Sequence, residues 1–248
     1  MSTTEPFGTA GTVRDGPVVV LAYDGIAADE AGLIVQILTG AGIEVIIATV
    51  GTDPVTSFHG RVVAHRTAAG LGTCKALVVP GGMGVRRAAD DEAFIAAIAR
   101  LAADATWLAA TSTGSVLLAA AGVVDGARAT THWLAGELIT DRGLELVRES
   151  FVEHGRLLTA SGVVSAPRLA FRLVGALAGV EAEAKARSQF RRPPTTDPRY
   201  VRLPRGWRRW FGSKRLGGID HPMDPSGSAE IVFLDLDLDD NGSDGRGR

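Results

Sequence analysis

The sequence predicts an α/β fold, one open and mostly parallel sheet with helices on both faces, and three observations carry that reading. Short apolar runs rich in β-branched residues recur at 18–22, 45–50, 76–79 and 107–111, as expected of parallel strands covered on both sides. The stretches between the first two runs and between the last two carry apolar residues at helical spacing. Gly40 and Gly42 close the first of those segments, and the alternation gives the chain a strand-helix-strand rhythm.

Taken in order, residues 1–16 are rich in Thr, Gly and charge without periodicity, and are expected to form a flexible leader. The fold begins after Pro17 with Val18-Val19-Val20-Leu21-Ala22. Leu33, Ile34, Ile37 and Leu38 share one helical face, and Gly40 and Gly42 stop that helix before Ile43-Glu44-Val45 opens the second strand. The stretch 56–65, with Phe58, Gly60, Val62 and Val63, is expected as a short β excursion beside the sheet. Phe94, Ile95, Ile98 and Leu101 repeat the helical arrangement before the strand at 107–111. A helix over about 113–121, stopped by Gly122, is followed by short strands near 128–131 and 156–160 and a helix near 167–177, which complete the sheet. At Arg191-Arg192-Pro193-Pro194 the chain turns rich in Pro, Arg and Gly, so residues 17–190 are read as the domain and 191–248 as an extension or partly disordered tail.

The 248 residues, 46% hydrophobic, suffice for one sizeable core. A net charge of −2 gives no bulk attraction for nucleic acid, and no helix-turn-helix follows Gln189, so direct nucleic-acid binding is not expected. The single cysteine, Cys74, excludes an intrachain disulfide framework and fits a reducing compartment. Because it precedes the strand at 76–79, it is expected at the far end of the sheet as a buried structural residue. The opening Met-Ser-Thr-Thr-Glu-Pro has no secretory pattern, and every apolar run is interrupted well before the roughly 20 residues a bilayer span needs, so a cytoplasmic location is expected. His59, His65 and His154 are scattered, and neither a metal nor a cofactor is expected. In the tail, Arg205, Arg208, Arg209, Lys214 and Arg215 surround Trp207, Trp210 and Phe211. That cluster suits contact with an anionic membrane surface or nucleic acid, or folding back onto the domain to bury its aromatics. Residues 231–240 alternate Val232, Leu234, Leu236 and Leu238 with acidic residues, which reads as an edge strand or a flexible acidic terminus.

The chemistry concentrates at the end of the fourth strand. Residues 107–111 run into Ser112, then Thr113-Gly114-Ser115 and the apolar helical run from Val116. A strand-to-helix turn of this kind lifts a side chain clear of the sheet toward the N–H groups of the next helix. Ala110 and Gly114 flank Ser112 at minus two and plus two, close to the G-x-S-x-G pattern of a nucleophile elbow. The same spacing also suits an ordinary N-cap serine. Two further features bear on the choice. In Val78-Val79-Pro80-Gly81-Gly82-Met83-Gly84 a strand ends in a glycine-rich turn, where Gly81 and Gly82 either bring backbone N–H groups to an oxyanion or simply form a turn. In Ala129-Thr130-Thr131-His132-Trp133, His132 at a strand end is either a base for a hydroxyl nucleophile or a structural histidine.

Together, Ala110-Thr111-Ser112-Thr113-Gly114, the upstream Pro80-Gly81-Gly82 and the downstream Thr130-Thr131-His132 resemble the DJ-1/PfpI superfamily of class I glutamine amidotransferase-like proteins, over roughly 18–189. The resemblance implies a flavodoxin-like sheet with a nucleophile elbow and a homodimer. Gly25-Ile26-Ala27-Ala28-Asp29-Glu30 resembles the segment carrying that superfamily's acidic residue, which would set Glu30 beside the elbow. Within the superfamily, Thr113-Gly114 and 129–133 look most like isonitrile hydratases and related amidotransferase-like regulators. The hydratase likeness implies hydration of an isonitrile to an N-substituted formamide, with Glu30 and Thr113 at assisting positions. The elbow departs from the superfamily in one respect: Ser112 stands where cysteine is usual. A thiol is readily activated at a helix N-terminus, whereas an alcohol needs a base. The expected catalytic set is therefore Ser112, Glu30, Thr113 and His132, with Gly81, Gly82 and Gly114 receiving developing charge, in a small-molecule hydratase or hydrolase. A catalytically inactive ligand-binding or regulatory module is the alternative, and a chaperone or stress-response protein the third.

Overall fold

The computed structural model describes residues 11–51, 54–57, 60–62 and 64–190. Its main sheet is built from β1 (Val18–Leu21), β2 (Val45–Thr49), β5 (Arg66–Thr67), β6 (Ala76–Val79), β7 (Trp107–Thr111), β10 (Phe151–His154) and β11 (Leu157–Ala160). The order across it is β10-β11-β7-β6-β1-β2-β5, with every pairing parallel except β10 on β11. The apolar runs read from the sequence are its centre: each residue of β1, β6, β7 and β11 is buried. β-branched and small side chains suit strands sandwiched between two helical layers.

The helices are α1 (Ala28–Gly40), α2 (Val85–Asp90), α3 (Glu92–Asp104), α4 (Gly114–Ala120), α5 (Gly136–Thr140), α6 (Ala166–Ala178) and α7 (Val180–Gln189). α1 and α7 pack on α6, while α2, α3 and α4 pack on one another. Local chemistry sets their limits. Asp91 caps α3 by accepting the Phe94 N–H at 3.1 Å. Pro167 occupies the first turn of α6, where its missing N–H is not needed. Gly179, at φ +93°, separates α6 from α7.

Several sequence expectations change in detail. The strand expected over 128–131 shrinks to β8 (Arg128–Ala129), which pairs in parallel with β9 (Glu145–Leu146) outside the main sheet. Its place at the sheet edge is taken by antiparallel β10, turned back onto β11 through Gly155 at φ +57°. The excursion is a separate two-stranded ribbon of β3 (Val55–Ser57) and β4 (Gly60–Val62). Part of the expected leader is tied down: the Arg14 N–H donates to Thr106 Oγ1 at 2.9 Å, and its guanidinium pairs with Asp104 at 3.0 Å. Cys74 is fully buried just before β6, its thiol pushed up to about 11 by burial. Residues 1–10, Phe58, His59, Val63, and the basic-aromatic and alternating segments within 191–248 lie outside the described residues. Among the described residues, no helix is long and apolar enough to cross a membrane.

Candidate active site at the carboxyl edge of the sheet

The carboxyl ends of β1, β6, β7 and β11 converge, and each delivers one wall of the site. β7 ends in Ser112, whose φ of +52° makes it the one described non-glycine residue in the left-handed region. A left-handed serine costs free energy, so the surrounding bonds must hold it there. They do so from three sides. The Ser112 N–H donates to the Ala160 carbonyl at 2.7 Å, continuing the ladder between β7 and β11. The Ser112 carbonyl accepts from Thr131 Oγ1 at 2.9 Å and from Ser115 Oγ at 3.2 Å. Ser112 does not cap α4: Thr113 holds the N-cap position and makes no side-chain cap bond.

Close backbone approach explains the glycines. A Cβ on Gly81 would meet Ser112 Cβ at 2.5 Å and the Thr113 nitrogen at 2.7 Å. A Cβ on Gly114 would run into the Val79 carbonyl oxygen. The elbow thus lies directly on the loop after β6, and only glycine permits that contact. Thr113 stitches the two together, its Oγ1 accepting the Gly82 N–H at 2.9 Å and donating to the Gly82 carbonyl at 3.2 Å. The Gly82 N–H is therefore already engaged rather than open to a ligand.

Glu30 comes from the first turn of α1, which starts where the Ala27 N–H donates to the Gly81 carbonyl at 2.8 Å. Its side chain is only 5% exposed. Burial pushes the carboxyl up to about 7, and the Asp29 charge adds to that; the Thr111 hydroxyl, Gly81 N–H and Ser112 hydroxyl act the other way. These opposing groups are near but incompletely paired, since Glu30 Oε2 and Thr111 Oγ1 are buried without a hydrogen bond of normal geometry. Gly162, after β11, borders the same carboxyl: a Cβ there would lie 3.7 Å from Oε1. A buried acid with an unused oxygen beside a raised hydroxyl can hold, give and recover a proton near neutral pH.

Ser112, Thr113, Glu30, Gly81, Gly82 and Gly114 are thus brought together. His132 is used locally, with Nδ1 accepting the Leu134 N–H at 3.3 Å at the start of a 3₁₀ turn. Burial lowers its pKa and favours the neutral ring. From that segment it is Thr131 that reaches Ser112, by its carbonyl. Two contributors escaped the sequence reading. Thr131 carried no signal beyond being polar at a strand end. Tyr23 lies two residues past β1 with its hydroxyl donating to the Pro80 carbonyl at 3.2 Å, and only its place before the acidic segment could have drawn attention to it.

Known proteins share this architecture. An isonitrile hydratase of Pseudomonas putida is 34% identical over 144 residues, which are 57% of this chain and 62% of that protein, so the chain spans less than two thirds of that relative's length. Among solved structures, a THiJ/PfpI family protein from Pseudomonas syringae has a TM-score of 0.67 at 24% identity, covering 79% of this chain and 84% of that one. Drosophila melanogaster DJ-1beta has a TM-score of 0.65 at 20% identity, covering 71% and 97%. Both structures share the fold. The model of the DJ-1/PfpI family matches residues 17–176, well over half of the chain, and the protein belongs to the DJ-1/PfpI family.

Proposed function

We propose that the protein is a small-molecule hydratase that converts isonitriles to N-substituted formamides, with Ser112 as nucleophile and Glu30 as proton shuttle. The observation that carries this reading is the buried Glu30 carboxyl, raised to about 7 and acted on by the Ser112 hydroxyl. The likeness to the Pseudomonas putida isonitrile hydratase supplies the substrate class. In the first step the neutral Glu30 carboxyl protonates the terminal isonitrile carbon. Ser112 Oγ adds to that carbon and its proton passes to the Glu30 carboxylate, giving a formimidate ester. Water then adds to the ester carbon, the C–O bond to Ser112 breaks, and the formamide leaves with the serine restored. Because the Gly82 N–H is held by Thr113, the negative charge that develops on Ser112 Oγ as its C–O bond breaks falls to the first N–H groups of α4, Gly114 among them. His132, kept neutral by burial, serves as a second base only if a substrate draws it from its local bond.

Purified wild type, Ser112→Ala and Ser112→Cys, compared on isonitriles, amides and reactive aldehydes, test the assignment. Formamide release by wild type, lost in Ser112→Ala and kept or raised in Ser112→Cys, is the expected outcome. Equal turnover by wild type and Ser112→Ala would remove serine as nucleophile. Saturable binding of an isonitrile without turnover in wild type would make the protein a ligand-binding module.

A further inference from the structure

We propose that Tyr23 is a positioning residue: its hydroxyl fixes the Pro80–Gly81 peptide so that the Gly81 N–H is aimed at the Glu30 carboxyl. The inference rests on the reading of Glu30 as proton shuttle and adds a residue that reaches the reaction only through another group.

Tyr23 is 5% exposed, and its ring meets Phe94 of α3 edge to face with centroids 5.3 Å apart. Its hydroxyl donates to the Pro80 carbonyl oxygen at 3.2 Å. A trans peptide is planar, so its C=O and the next N–H point in opposite directions and holding one sets the other. The Pro80 ring fixes φ, and the remaining freedom of this unit is rotation about Pro80 ψ and Gly81 φ. The Tyr23 bond restrains that rotation at one end. At the other, the Gly81 carbonyl accepts the Ala27 N–H at 2.8 Å, tying the loop to the start of the helix that carries Glu30. The Gly81 N–H lies where it favours the Glu30 carboxylate.

The groups around Glu30 leave this peptide as an adjustable influence. Asp29 on its own helix and Tyr23 at the end of β1 are the titratable neighbours. β7 and the elbow contribute the Thr111 and Ser112 hydroxyls, and the loop after β11 contributes Gly162, which has no side chain. The arginines of α6 are occupied elsewhere, Arg168 over Phe151 and Arg172 over Trp107 and against Glu153. Tyr23 itself stays protonated, since burial and the Glu30 charge both raise its pKa. It is therefore a constant donor rather than a competing acid.

The test is a titration of the Glu30 side-chain carboxyl in the full chain, read by carbon NMR of glutamate-labelled protein and assigned by its disappearance in Glu30→Gln. Wild type titrates at about 7. Tyr23→Phe keeps the ring on Phe94 but frees the peptide, and its midpoint rises by about 0.5–1 pH unit, the worth of one backbone N–H bond. Phe94→Leu loosens the same ring while keeping the hydroxyl, and leaves the midpoint near wild type. A Tyr23→Phe midpoint equal to wild type overturns the proposal, as does an equal rise in both variants. Since the titration is read without substrate, failure of wild type to hydrate isonitriles would count against the proposed reaction and leave the role of Tyr23 standing.

Discussion

Replacing Glu30 by Gln keeps the shape of the side chain and removes its titration, so the two proteins should differ in how stability depends on pH. The Glu30 carboxyl ionises near 4.5 when unfolded and at about 7 when folded. Between those values the native state holds a proton that the unfolded chain has released, so stability falls as pH rises. The contribution is complete below about 4.5 and lost as pH passes through about 7. At 1.36 kcal/mol per pKa unit the interval amounts to roughly 3 kcal/mol. His132 works in the opposite direction, because burial lowers its folded pKa and its contribution is lost as pH falls. It is present in both proteins and cancels in their difference. Urea unfolding of wild type and Glu30→Gln at intervals from pH 4 to 8.5 measures that difference. The stability of wild type relative to Glu30→Gln should fall by roughly 3 kcal/mol across the range. A difference that stays flat, or rises with pH, would refute the burial argument for a neutral Glu30.

Two further substitutions test the backbone geometry. Ser112→Gly relieves the left-handed φ of +52° and should raise unfolding stability by about 1 kcal/mol, while abolishing turnover. A destabilised glycine variant would mean that the serine side chain contributes more than its strain costs. Gly81→Ala puts a Cβ against Ser112 and the Thr113 nitrogen, so calorimetry should register a loss of about 1–3 kcal/mol and kinetics a fall of about 10²-fold.

The sequence revealed most of the sheet and the nucleus of the site, for physical reasons. β1, β6 and β7 are continuous apolar runs because they are covered on both faces, and such runs stand out from any register; β2 reads the same way although its first three residues are half-buried. Ser112 and Gly114 were legible because a strand-to-helix turn places small residues at fixed offsets. β8 was read into the main sheet because two residues carry no information about which sheet they join. β10 was missed because only Phe151 and Val152 of its four residues are buried, and its partner is set by a turn at Gly155. α7 buries no residue, so it lacks an apolar stripe; its trace is the Glu183–Arg187 pair at helical spacing. The bonds of Tyr23 to Pro80 and of Thr131 to Ser112 span 57 and 19 residues. Neither distance has a sequence period, and both contacts exist only once the strand ends have converged.

Ser112 and Glu30 are proposed to act as one catalytic unit, and a double-mutant cycle on isonitrile hydration measures their coupling. kcat/KM for formamide formation is measured for wild type, Ser112→Ala, Glu30→Gln and the double variant at one pH near 6.5. The predicted result is a loss of about 10²–10⁴-fold in each single variant, with the double variant little worse than either. Full activity in Glu30→Gln, or two losses that multiply in the double variant, would mean that the two residues do not act together.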